Sequence, residues 1–262
     1  MSLQFNGITN ESLRLLCPAL KPFANITALD LAANSVVLTL NETMPPVVVE
    51  LAEALESLPR LQRLNLSGIQ MQECVSLILG RITCPLSMLQ LSGCGLCRAD
   101  LQWLSTADVT SRLEQLDVGS NDIARSVNVL CTLLNHTSDS LAVFEAEYAD
   151  LTEVSLSVLL ATFKHLPQLR YVNVCGSDDI GATAIIDALE QLISVPRLRV
   201  FRLSAPNDLP VSPEDDAAEA NDGENGNEFR DAQIDFAWRL IDQLARLCHA
   251  HSRPLIRLVF EL

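Results

Sequence analysis

Residue types and spacings in this chain raise four kinds of chemistry. Cys94-Gly95-Leu96-Cys97 is a C-x-x-C pair, with Cys74 and Cys84 upstream. Four thiolates could hold zinc, and two could exchange between dithiol and disulfide. However, Cys94 falls at a turn position of the repeat described below, where Cys is an ordinary choice, and Cys84 lies just before a strand. The eight cysteines therefore read as small buried hydrophobes. Gly176 to Thr183 has the G-x-x-x-x-G-x-T outline of a phosphate loop, but Ala182 stands where the lysine counter-ion is required. The four histidines, at 136, 165, 249 and 251, follow no ligand or triad spacing. No nucleophile-elbow, zinc-protease or calcium-loop pattern occurs. The sequence thus assigns no catalytic, cofactor-binding or metal residue and predicts a protein that is not an enzyme.

The fourth kind of chemistry is recognition. Asp117, Glu145 and Glu147, with Tyr148, Tyr171, Asn173 and Arg202, recur about 28 residues apart. Carboxylates beside tyrosines can accept a basic segment of a partner. They do so only if the fold stacks residues one period apart, and the chain has such a period. The frame L-x-x-L-x-L begins at Ile26, Leu61, Leu86, Leu113, Leu141, Leu169 and Leu198, with steps of 35, 25, 27, 28, 28 and 29 residues. Seven occurrences at near-constant spacing, in a chain with 46 leucines, identify a leucine-rich-repeat array.

Within each repeat the frame alternates as a half-buried strand must, and the next stretch changes to helical spacing. Val47, Leu51, Leu55 and Leu58 share one helical face, as do Val127, Leu130, Leu133 and Leu134. Leu156, Leu159, Leu160 and Phe163 form a third such face, and Ile185, Ala188, Leu189 and Leu192 a fourth. One strand–turn–helix unit cannot bury its apolar stripe alone, but stacked units share a core. The expected fold is an α/β right-handed solenoid, a horseshoe with a parallel sheet on its concave side and helices on its convex side. Side chains between the core leucines face the concave surface. The central column reads Asp30, Asn65, Gln90, Asp117, Glu145, Asn173 and Arg202. The position that commonly carries a turn Asn or Cys reads Asn34, Ile69, Cys94, Asn121, Ala149, Ser177 and Pro206, a degenerate ladder.

We expect one domain over 1–262, with repeats starting near 3, 26, 61, 86, 113, 141, 169 and 198. Residues 3–25 read as a shortened first repeat. Residues 207–228 hold eight acidic and no basic side chains, which predicts a disordered acidic insertion. A capping helix and strand over 229–262 follow, with Ile234, Trp238, Ile241, Leu244 and Leu247 on one face of the amphipathic helix and a strand over 255–260.

The formal charge of −15 argues against direct binding of nucleic acid or an anionic membrane. No apolar run of about 18 residues is present. The first residues lack a basic region followed by an apolar one, so a cytoplasmic or nuclear protein is expected. By itself the chain is expected to be monomeric, with protein partners, which include a basic segment or a larger assembly.

The repeats resemble the ribonuclease-inhibitor-like leucine-rich-repeat superfamily. The closing segment, from the last repeat at Leu198 through an acidic stretch and a long helix to Ser252-Arg253-Pro254 and a terminal strand, resembles that of the PRAME family. Members of that family serve as substrate receptors of cullin–elongin ubiquitin ligases. An elongin-binding box of the type S/T-L-x-x-x-C-x-x-x-aliphatic is similar to Ser12 through Lys21 as far as Cys17, but it ends on Lys21 where an aliphatic is wanted. The same residues suit a repeat helix burying Leu13, Leu16 and Leu20. A leucine-rich-repeat regulator of small GTPases is a further alternative. The leading expectation is a non-catalytic scaffold that binds a protein partner across its concave face.

Overall fold

The computed structural model describes residues 1–38, 45–177, 179–206, 208–209 and 225–261, with the side chains of 225–229 and 231 outside that description. Eight strands form one open parallel sheet in chain order. They are β1 (Ala28–Asp30), β2 (Arg63–Asn65), β3 (Met88–Gln90), β4 (Gln115–Asp117), β5 (Val143–Glu145), β6 (Tyr171–Asn173), β7 (Val200–Ser204) and β8 (Arg257–Glu261). The register follows the repeat frame. Leu29, Leu64, Leu89, Leu116, Phe144, Val172, Phe201 and Leu258 lie side by side as strand partners, each turned into the core. Consecutive strands are joined by helices because parallel strands need a crossover. These helices are α2 (Pro46–Glu56), α3 (Val75–Leu79), α4 (Arg98–Leu104), α5 (Val127–His136), α6 (Glu153–Phe163), α7 (Ala182–Leu192) and α8 (Asn225–Ala250), with α1 (Asn10–Leu20) ahead of β1.

The helical faces expected from spacing are the buried ones. Leu51, Leu55, Leu130, Leu134, Leu159, Phe163, Leu189 and Leu192 are all sealed in one continuous core with the inward strand residues. Where the sequence supplies a cap, the helix starts on it. The Thr9 hydroxyl accepts from the Ser12 N–H at α1, and that of Thr152 from the Ser155 N–H at α6. The turn ladder works where its residues are polar. The Asn34 and Asn121 amides each bridge their own turn to the preceding repeat. The Cys94 thiol donates to the Leu66 carbonyl, and the Ser177 hydroxyl accepts from the Leu151 N–H. Ile69 and Ala149 fill the same place with buried apolar groups.

The two ends differ from the middle. At the first repeat, Ser2 bridges to Asp30 as a stub strand, and α1 packs on α2. At the last, α8 packs on α7 and β8 pairs with β7. The helix begins at Asn225, and its buried stripe is Gln233, Ala237, Leu240, Leu244 and Cys248. That stripe is rotated from the expected face: Trp238 is 66% exposed, and Ile234, Ile241 and Leu247 are half-buried. Small Ala237 allows close approach, whereas the indole does not. The expected insertion at 207–228 lies outside the described residues apart from Asp208, Leu209 and the first helical positions. No helix among the described residues is long and apolar enough to cross a membrane.

Candidate functional site

The concave columns expected from alternation are the observed ones. Asp30, Asn65, Gln90, Asp117, Glu145, Asn173 and Arg202 are consecutive strand partners on the sheet face turned away from the helices. Four of them also have a structural task. A side-chain oxygen of Asp30, Asn65, Asp117 and Asn173 accepts the backbone N–H two residues on, at 3.0, 3.0, 2.9 and 3.2 Å. Each such bond closes the end of its strand, as Asx side chains do in turns. The clue in the sequence was an Asx at the same frame position in four repeats. Asn173 is only 2% exposed, so it is part of the wall and not of the accessible face.

Glu145 has no such backbone partner. It sits beside Asp117 on the neighbouring strand, and its carboxylate accepts a 3.4 Å bond from the Gln115 amide. Burial raises the pKa of both carboxyl groups. Glu147 raises that of Asp117 further against the lowering by the Gly119 N–H, and Asp117 raises that of Glu145. Glu147 comes close because residue 119 is glycine: a Cβ there would lie 2.7 Å from the Glu147 carbonyl oxygen.

On the other side of Glu147, Tyr148 holds a left-handed backbone (φ 53°) and its ring covers Gly176, where a Cβ would meet it at 2.2 Å. The ring is 55% exposed and its hydroxyl donates to Glu261 at 3.4 Å. Glu261, at the end of β8, completes the cluster. It was not anticipated, because the last strand was expected to stop at Phe260. Tyr171 begins β6, the strand next to the one that leads to Tyr148, and takes a different partner: its hydroxyl accepts from Arg202 at 3.4 Å. The structure therefore gathers Asp117, Glu145, Glu147, Tyr148 and Glu261 into an acidic, tyrosine-edged surface, with Tyr171 and Arg202 as a separate pair on its flank.

Among the described residues, Glu147, Cys175 and Glu261 could share a cation, since their donor atoms lie within 4.8 Å of one another. Burial and the neighbouring Glu261 push the Cys175 thiol up to about 12, so it is protonated near neutrality. Arg202 lowers it, which places a resident cation in the same surroundings. The other sequence candidates have different surroundings. Cys94 is buried, with its thiol also pushed up to about 12 by burial, and Cys97 is the N-cap of α4. At the phosphate-loop outline, the amides of Gly181 and Ala182 donate to the carboxylates of Glu153 and Asp208, at 3.1 and 2.8 Å. In the stretch similar to an elongin box, Leu13 and Cys17 are fully buried in the chain's own core.

One substitution separates the two tasks of Asp117. Its raised pKa means that the folded state binds the proton more tightly than the unfolded chain. Between the ordinary value of 3.8 and the raised value the folded state holds more protons, so stability falls as pH rises through that window. Asp117→Asn keeps the acceptor that Asn65 and Asn173 use and removes the charge beside Glu145. We expect melting to rise by about 1–2 °C at pH 7, from about 0.5 kcal/mol of relieved like-charge contact, and no difference near pH 3. Calorimetric melts at the two pH values check this.

Comparison with known proteins agrees with the repeat reading. Residues 13–211 match the model of the PRAME C-terminal domain. The chain is 26% identical over 215 residues to Leucine-rich repeat-containing protein 14 from Xenopus laevis, which is 81% of this chain and 42% of that protein. It thus spans less than half the length of this relative. Among solved structures, an internalin from Listeria monocytogenes matches at 14% identity over 75% of this chain and 81% of the internalin, with a TM-score of 0.25. With 199 of its 262 residues inside the match, the chain belongs to the PRAME C-terminal domain family of leucine-rich-repeat proteins.

Proposed function

We propose that this chain is a non-catalytic scaffold that captures a protein partner on its concave sheet, and that the captured segment carries Lys or Arg side chains. The observation behind this is the pair of neighbouring carboxylates at Asp117 and Glu145. Both are desolvated and both have raised pKa values, and Arg202, which bonds Tyr171, only partly offsets this at Glu145. Two partly buried like charges are unfavourable in the free protein, and an incoming cation would relieve them. The exposed ring of Tyr148, held in place over Gly176 and against Glu261, offers a rigid aromatic surface next to them. Membership of a leucine-rich-repeat family supports protein interaction in general. A ligase-receptor role through Ser12 to Lys21 would require Leu13 and Cys17 to leave the core.

The test is charge reversal at a residue with no structural bond to the backbone. With Glu145→Arg, affinity purification followed by quantitative mass spectrometry should recover the wild-type partner at less than about a tenth of its wild-type level, while the melting temperature stays within a few degrees. Equal recovery would sink the reading.

A further inference from the structure

The charges of the connecting segments differ between the two edges of the sheet. The segments that lead from a helix into the next strand carry nine Lys and Arg against three acidic residues, Asp108, Glu114 and Asp139. Among the described residues, the segments that lead from a strand into the next helix carry the opposite balance: six acidic residues, Glu147 and Asp150 among them, against the single Arg125. In a parallel repeat array all segments of one kind lie along the same edge, so one rim of the solenoid is basic and the other acidic.

Two ordinary explanations for the basic rim fail. Cations near helix C-termini complement the helix dipole, but they act within the last turn. The last turns of α1, α2, α3, α4, α6 and α7 contain no basic residue. Ion pairing within the chain does not account for the arginines either. Arg60, Arg63, Arg112, Arg170, Arg199 and Arg257 are exposed, and among the described residues none of their side chains has a hydrogen-bond or ion-pair partner. Carboxylates outnumber cations 33 to 18 here, so four unpaired arginines in the segments of one rim, with Arg63 and Arg257 opening the adjoining strands, are not what random placement gives.

The six fall into two groups. Arg60 and Arg112, with one carboxylate, Glu114, line an open cleft of about 660 Å³ at the starts of β2 to β4, and Arg63 is the first residue of β2. Farther along, the Arg199 N–H donates to the Arg170 carbonyl at 2.8 Å and the Arg257 N–H to the Arg199 carbonyl at 2.7 Å. Arg170 and Arg199 thus hold the same register position on neighbouring backbones, about 4.8 Å apart, and Arg257 begins the next strand one position farther on. Like charges on adjacent strands are unfavourable unless something offsets them. Each guanidinium is a planar fork suited to a carboxylate.

We infer that this basic rim, which meets the concave face at Arg63 and Arg257, is a second docking surface, and that its occupant is an acidic segment of a partner protein. An acidic peptide fits better than nucleic acid. The duplex places a charge every ~1.7 Å, and the strongly negative remainder of the chain repels so dense a polyanion more than it repels a short peptide. A second copy of the chain, itself at −15, meets the same repulsion over its whole body.

The test is a fluorescence-anisotropy titration of the whole chain with a fluorescein-labelled peptide of six Glu-Ser repeats at low salt. The wild type should bind. The triple variant Arg170→Gln, Arg199→Gln, Arg257→Gln should bind about tenfold or more weakly. The double variant Arg60→Gln, Arg112→Gln should show a smaller loss. Arg239→Gln on α8 and the concave-face variant Glu145→Arg should bind no more weakly than wild type. All six arginines are exposed, so the variants should melt with the parent; if the triple does not, the double carries the test. Absence of peptide binding by the wild type, or equal binding by wild type and variants, overturns the inference. So does tighter binding of a twelve-residue deoxythymidine oligonucleotide than of the peptide, or a wild-type dimer in sedimentation that the triple variant abolishes.

Discussion

Phe144→Ala should lower stability by about 3–5 kcal/mol, which for a chain of this size is a fall in melting temperature of roughly 8–15 °C. The residue occupies the inward place on β5 that Leu64, Leu89 and Leu116 occupy on their strands, and it is fully buried. Its ring meets that of Phe163 on α6 at a centroid distance of 5.7 Å and a tilt of 58°, an attractive edge-inclined geometry. The next inward position is Ala146, where neighbouring repeats have Leu66, Leu91 and Val118. This repeat therefore keeps its core volume by enlarging one inward side chain and shrinking the next. Removing the large member leaves a cavity that Ala146 cannot fill. The compensated variant Phe144→Leu with Ala146→Leu should recover most of the loss, since volume-conserving exchanges are tolerated best. Denaturant melts of the three chains check both statements. A loss under about 1 kcal/mol for Phe144→Ala would show that the repeats do not form one rigid core.

Asn121→Ala should cost about 2–4 kcal/mol. The side chain is 4% exposed, and its amide makes four bonds in a place that water does not reach. Its oxygen accepts from the Leu96 N–H at 2.9 Å, and its nitrogen donates to the carbonyls of Leu91, Val118 and Gly119 at 3.0, 2.9 and 2.8 Å. These backbone groups belong to two adjacent repeats, so the amide ties one turn to the next. Alanine removes this partner from the buried Leu96 N–H and from the Leu91 and Val118 carbonyls, each of which then bears its desolvation penalty, while the Gly119 carbonyl keeps the Gly93 N–H. Asn121→Ser should fall between, because Ser177 shows that a hydroxyl at this position still accepts from the preceding repeat. The expected order of melting temperatures is Asn, Ser, Ala. Equal stability of Asn121→Ala and wild type would mean that the ladder does not hold the turns.

The architecture was readable in the sequence because two periods alternate in it. A period of two over the frame places Leu64 and Leu66 inward and Arg63 and Asn65 outward. A helical period then buries faces such as Leu156, Leu159 and Leu160. Since every repeat carries the same frame, the register between strands follows, and with it the neighbours of Asp117 and Glu145. Three features were not readable. The buried stripe of α8 depends on how closely that helix approaches α7, and apolar residues such as Ile234, Phe236 and Trp238 are spread around it, so spacing alone found Leu244 but also included Trp238, which is exposed. Glu261 joins the acidic surface only through the pairing of β8 with β7, which the repeat frame does not encode. The backbone bonds of the Asx column depend on side-chain rotamers, so the frame could show Asn173 on the concave column but not that its amide is buried.

The central claim, that the desolvated carboxylates of β4 and β5 bind a cationic segment, is tested most directly by titrating the chain with a fluorescein-labelled peptide of six Lys-Ser repeats, followed by anisotropy at pH 7. The account predicts binding that weakens about tenfold or more in Glu145→Arg, whose positive charge opposes the peptide from the centre of the face. A peptide that does not bind, or that binds wild type and Glu145→Arg with equal affinity, contradicts it.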